Sequence, residues 1–148
     1  MSEVPQIEFA DEACMLATWR SIVVPVFGHR PASVEGARAL GKGLERHGRK
    51  VGKGRLLEIT LLDENAPTPH AEVREALDAM VPTVAPFYGA VSAIFEGNGF
   101  RAAMIRGILT GFQLISRGKY PQRICATPDE CAAVSYTHLR AHETVLDL

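Results

Sequence analysis

Two short polar stretches carry the residue types from which a binding or catalytic site could be built. Asp63-Glu64-Asn65-Ala66-Pro67-Thr68 follows one apolar run, and Glu96-Gly97-Asn98-Gly99-Phe100-Arg101 follows another. Free backbone N–H groups at a helix start, with the Arg101 guanidinium beside them, suit an anion. Glycines at 97 and 99 would let the backbone approach it closely. Asp63, Glu64 and Glu96 could instead do acid–base work or hold a hard cation. The ligand-binding set read from these loops is Asp63, Asn65, Thr68, Asn98, Gly99 and Arg101. The competing explanation is structural: Gly-Asn-Gly turns strand into helix with Asn98 as N-cap, and the acids are solvated loop charges. His70, the one local imidazole, falls in the first turn of a helix and should be exposed. A lone G-x-G lacks the dinucleotide fingerprint, and no G-x-x-x-x-G-K-[ST] loop is present. Neither a Ser-His-Asp nor a Cys-His nucleophile arrangement is identifiable, so no catalytic residue, metal or cofactor is assigned and a non-enzyme is expected.

Charge is most uneven between Arg30 and Arg55, where eight basic residues meet two acidic ones. Arg38, Lys42, Arg46, Arg49 and Lys53 fall largely on one helical face opposite an apolar stripe. Arg38, Lys42, Arg46 and Arg49 form the candidate docking face for an acidic partner protein, the alternative being a solvated helix face. Nucleic acid is disfavoured, because no aromatics interleave with the basic run as stacking platforms would. A homo-oligomer is compatible with the sequence, with self-association through the strand edge near Pro25 a third option.

The whole chain has 148 residues, 47% hydrophobic and 22% charged, with a formal net charge of −1. That length suits one domain and the composition an ordinary globular one, excluding collagen, coiled coil and disulfide frameworks. No stretch approaches the ~20 apolar residues of a membrane span, and the acidic start, MSEVPQIEFADE, has no apolar signal core. Cys14, Cys125 and Cys131 are odd in number and lack C-x-x-C spacing, which argues against a disulfide scaffold or a zinc site. They read as small buried hydrophobes in a cytoplasmic protein. The last fifteen residues, VSYTHLRAHETVLDL, break the preceding pattern, and Ser135 to Thr144 can be written as consecutive codons of a transposon-end sequencing adapter. Residues 133–148 are therefore expected to be a non-native tail, and 5–132 a single domain. Setting aside Arg140, Glu143 and Asp147 leaves 15 basic and 15 acidic residues.

The elements that must position these groups follow from periodicity. Residues 5–12 read as a strand with Ile7 and Phe9 on one face, and Met15 to Phe27 as a second, longer strand forming a hairpin with it. Pro25 should bend that strand or lie on an open edge. Trp19 reads as strand packing. From Pro31, Val34, Ala37, Leu40, Gly41, Leu44, Gly48 and Val51 form a helical stripe closed by Gly52-Lys53-Gly54. Arg55–Leu62 is a strand covered on both faces. Thr68 as N-cap and Pro69 at the first helical position start a helix with stripe Val73, Ala76, Leu77, Met80 and Val84. Pro82 and Pro86 should kink or end it. Gly89–Phe95 is a buried strand, and a helix from Phe100 to Ser116 follows, burying Met104, Ile108, Gly111, Phe112 and Ile115. Gly107 and Gly111 should let it pack closely. Gln122–Ala126 is a last strand, and Thr127-Pro128-Asp129-Glu130 caps a final helix. The predicted order is β-β-α-β-α-β-α-β-α: an α/β domain with a single, mostly parallel central sheet.

This order, with its opening hairpin and single sheet over residues 5–132, resembles the STAS fold (sulfate transporter and anti-sigma-factor antagonist). PTPHAEVREAL and FEGNGFRAAMIRGILTGFQLISRGKYPQR also resemble segments of bacterial proteins of this size. The resemblance implies a non-catalytic regulatory module that docks on a partner protein. Antagonist members of the family are phosphorylated in a D-S-S-G-like loop at the start of the second helix. That loop here is Asp63-Glu64-Asn65-Ala66-Pro67-Thr68-Pro69. It keeps the aspartate, lacks the serine and glycine, and offers only the offset Thr68 hydroxyl.

Overall fold

In a computed structural model, described for residues 3–95, 97, 99–116, 120–125 and 127–133, alternation of apolar residues builds one six-stranded sheet. The strands are β1 (Gln6–Ala10), β2 (Cys14–Trp19), β3 (Ile22–Phe27), β4 (Leu56–Leu62), β5 (Tyr88–Ile94) and β6 (Gln122–Cys125). They lie side by side in chain order. β1, β2 and β3 pair antiparallel, whereas β3 to β6 pair parallel. Each parallel step is bridged by a helix: α1 (Val34–Val51), α2 (Ala71–Val84, closing in a 3-10 turn at Ala85–Phe87) and α3 (Gly99–Ser116). Crossovers of one hand between strands laid down in order put successive helices on the same face. Accordingly α1 packs against α2 and α2 against α3. A further helical segment covers 128–133, where Thr127 Oγ1 accepts the Glu130 N–H at 3.3 Å, as the capping pattern requires.

The predicted single strand from Met15 to Phe27 is two strands, so the order is β-β-β-α-β-α-β-α-β up to residue 125. Register pairs Trp19 with Ile22, and the reversal falls on Arg20-Ser21. WRSI announces a turn only weakly, through Ser21, for it holds no Gly, Asn or Pro. The turn is enforced from outside. Arg20 takes a left-handed φ of 53°, and its carbonyl accepts the Nε2–H of buried His47 from α1 at 2.7 Å. Its guanidinium lies 4.8 Å from the Trp19 ring centroid. Trp19 is thus 37% exposed at the hairpin end, with its indole N–H donating to the Glu3 carbonyl, instead of packing within the sheet.

Of the two expectations for Pro25, the open edge is not met, for it stands in an interior strand between β2 and β4. Pairing of β3 with β4 runs through Val23↔Glu58 and resumes at Val26↔Leu61, so the residue without an N–H falls in the gap. Helix α2 starts at Ala71, with His70 in the capping position and exposed Thr68 two residues upstream. Pro67 and Pro69 hold that approach extended, which displaces Thr68 from its predicted cap. Pro82 lies within α2, and the helix ends only at the 3-10 turn holding Pro86.

α1 buries a face of Gly36, Ala37, Leu40, Gly41, Gly43, Leu44, His47 and Gly48, close to the stripe read from sequence. On α3 the expected stripe is met only in part. Ile108 and Gly111 are half-buried, but Met104 is 39% exposed while Ala102 and Ile105 are buried. The Phe112 and Ile115 side chains lie outside the described residues. Gly107 is exposed and would meet nothing with a Cβ, so it makes no close approach; Gly111 lies near the Arg74 guanidinium of α2. Apolar residues occur all round this helix, so composition alone leaves its buried face open.

Candidate functional site

Strand β4, LLEITLL, places an acid inside an otherwise apolar run. With period two, Glu58 and Thr60 share the face that carries Leu56 and Leu62. Glu58 pairs in register with Val23 on one side and Val91 on the other, so it stands mid-sheet between covered strands. Above it, α2 and α3 do not close down. A cavity of about 160 Å³ remains between the sheet and these helices. Its helical wall includes Val73, Leu77, Met80, Ile105 and Ile108, and its floor includes Val91, Ala93 and Ile124. Glu58, Thr60, Tyr88, Tyr120 and Gln122 supply its polar groups.

These groups organise around the Glu58 carboxyl. The Tyr88 hydroxyl donates to Oε2, and the Thr60 hydroxyl donates to Oε1 at 2.7 Å. The Tyr88 and Tyr120 rings stand 5.0 Å apart between centroids, tilted by 56°. Burial pushes the Glu58 carboxyl above its ordinary range, and the two hydroxyls pull it part of the way back. Burial and the adjacent carboxyl push the Tyr88 phenol well above its ordinary value. The cavity also touches Arg30, which is exposed and bonded to Glu12 at 2.6 Å, and exposed Arg123. Neither arginine offsets the Glu58 shift. A carboxyl held by two hydroxyls, with no cation beside it among the described residues, can meet an incoming donor or positive group.

The loop residues singled out from sequence behave otherwise. Because β4 and β5 are parallel neighbours, the loops after them leave the same end of the sheet. Asp63, however, is committed to its own turn. Its Oδ1 accepts the Asn65 N–H at 2.7 Å, its carbonyl accepts the Ala66 N–H, and its N–H donates to the Phe27 carbonyl. Asn65 and Thr68 are exposed. Gly99 opens α3 with φ of 82°, a conformation that favours glycine. Arg101 lies in the first turn of α3, and Glu96 and Asn98 lie outside the described residues. The part of this loop that reaches the cavity is apolar: Ala66, Pro67 and Pro69.

On α1, Arg38, Lys42, Arg46 and Arg49 are all exposed. Arg46 pairs with Glu8 at 3.2 Å, and Arg49 pairs with Glu45 one turn earlier at 2.6 Å. Among the described residues no cluster of three or more His, Cys, Asp or Glu side chains could hold a metal ion. No described helix is long and apolar enough to cross a membrane.

Sequence reasoning missed Glu58, Thr60, Tyr88 and Tyr120. The signal was present in part, since a strand expected to be covered on both faces contained a glutamate. What joined it to Tyr88 and Tyr120 is pairing between strands distant in sequence. No family model matches this chain, and neither does any curated protein or solved structure.

Proposed function

We propose that this protein is a non-catalytic binding module that holds a small, largely apolar ligand between the sheet and helices α2 and α3. The observation that carries this reading is the cavity of about 160 Å³ with a hydrogen-bonded carboxyl at its floor. Interiors are ordinarily close-packed, and an apolar cavity of ~150 Å³ accepts benzene. Leaving such a space beside a desolvated acid lowers stability twice over, which favours a functional reason for both. Methyl NMR spectra recorded while titrating toluene test the idea. Shifts should concentrate on lining methyls such as those of Val73, Leu77 and Ile108. Shifts elsewhere only, or none, would remove this reading.

A second reading concerns the opposite end of the helical layer. The exposed row Arg38, Lys42, Arg46 and Arg49 supports docking of an acidic partner protein, with Arg38 and Lys42 free of the ion pairs that occupy the other two. It agrees with the regulatory role that the STAS resemblance implies, and with that fold assignment as part of the same proposal. Three cysteines without a disulfide support a cytoplasmic setting. The double substitution Arg38→Glu and Lys42→Glu should abolish retention on an immobilised acidic polypeptide at low salt. Unchanged retention would sink the docking face.

A further inference from the structure

We infer that the cavity selects a small organic amine, whose ammonium group would sit against Glu58 beside the Tyr88 and Tyr120 rings while its apolar body fills the space under α2 and α3. The inference rests on the cavity being the binding site and names the chemistry of its occupant.

Size sets the first limit. About 160 Å³ accommodates one ring or a short aliphatic body, not a long chain or a nucleotide. The lining sets the second, because the helical wall offers Val73, Leu77, Met80 and Ile108 and so rewards an apolar body. Charge sets the third. Glu58 is half-buried in the central strand and receives two hydroxyl donors, and among the described residues no cationic side chain pairs with it. Among the described residues, the other titratable or charged groups lining the cavity are Tyr88, Tyr120, Arg30 and Arg123. Arg30 is exposed and engaged with Glu12, and Arg123 is exposed on the edge strand. A carboxylate ligand would bring a second negative charge to Glu58 in a weakly screening interior. An ammonium instead supplies the missing counter-charge and up to three donors. The Tyr88 ring beside the carboxyl, with Tyr120 packed 5.0 Å from it, adds an attraction that only a cation receives.

The test compares toluene, benzyl alcohol and benzylamine, which share a ring and differ in the polar group. Calorimetry on the full chain should give benzylamine at least about tenfold tighter binding than either neutral probe, the gain of one charge-assisted contact. Glu58→Gln, shown to be folded by its thermal transition, should erase that preference while leaving toluene affinity unchanged. Should the variant not fold, the wild-type protein gives a second readout. Benzylamine affinity should fall by about tenfold or more as pH drops toward the ordinary glutamate value of 4.5, with toluene affinity flat. Equal binding of all three probes, or benzyl alcohol matching benzylamine, would overturn the amine assignment while leaving the cavity as a binding site. Failure of every probe to bind would overturn the cavity reading itself.

Discussion

The two ends of the helical layer rest on the same sheet and are packed in opposite ways. Under α1, glycines bring backbone against side chain. A Cβ at Gly48 would stand 2.7 Å from Phe87 Cγ, and one at Gly43 would stand 2.6 Å from a Leu16 methyl. A Cβ at Gly41 would stand 3.1 Å from Met80 Cβ of α2, a looser approach. Leu16 and Leu44 are sealed there, with none of their surface exposed. Under α2 and α3 the same layer stands off the sheet and leaves a cavity around an acid. A protein selected only for stability would fill that space. The close-packed end therefore fixes the fold, and the hollow end is where the proposed ligand would sit. Outside the close-packed end, the basic row of α1 faces solvent.

The largest expected effect separates the two ends directly. Leu44→Ala removes a fully sealed side chain from the close-packed end and should cost about 3–5 kcal/mol in urea denaturation. Leu77→Ala removes the same atoms from a side chain that already borders the cavity, so fewer contacts are lost. Its cost should fall near the lower limit, about 2 kcal/mol. Equal losses would mean that the hollow end is packed as tightly as the other.

A single methyl group provides the next test. Gly48→Ala raises helix propensity by ~1 kcal/mol. The new Cβ meets Phe87 Cγ, Cδ2 and Cβ at 2.7–2.9 Å, and the Arg49 guanidinium lies 6.0 Å from the centroid of that ring. Overpacking of this kind costs ~1–3 kcal/mol, so the variant should be less stable by about 1 kcal/mol. A variant more stable than the parent would show that Phe87 yields freely and that the close approach is not a constraint.

The same contrast governs how much the sequence disclosed. The stripe from Ala37 to Gly48 was readable because α1 is polar on one side and buried on the other. β4 and β5 were readable as continuous apolar runs, which parallel strands covered on both faces require. The Arg20-Ser21 reversal was only weakly marked, since His47, twenty-seven residues away, holds it in place of a Gly, Asn or Pro. α3 was found but wrongly phased at Met104, because an evenly apolar helix takes its orientation from what it packs against. Candidate site residues were sought in polar loops, where Asp63 proved to be spent on its own turn. Glu58 was overlooked within a strand because its meaning comes from Tyr88, thirty residues on, which register alone brings beside it.

The smallest effect should appear only as a slope, and it tests whether Glu58 is an internal acid at all. Its folded-state pKa lies above the ordinary value of 4.5 because burial disfavours the charge. As pH rises from that value, the unfolded chain releases the proton first, so the folded state holds more protons and loses stability with increasing pH. The contribution is complete below the ordinary glutamate value and is lost as pH passes through the folded-state value. Glu58→Gln keeps the shape and cannot ionise. The stability difference between parent and variant should therefore move in the variant's favour as pH rises above about 4.5, then level off once the parent carboxyl is ionised in both states. Urea midpoints measured for both proteins across that range give the difference directly, and shifts common to all other carboxyls cancel. Parallel curves would place Glu58 in contact with water, and the cavity would then lack the buried charge that distinguishes it from a packing defect.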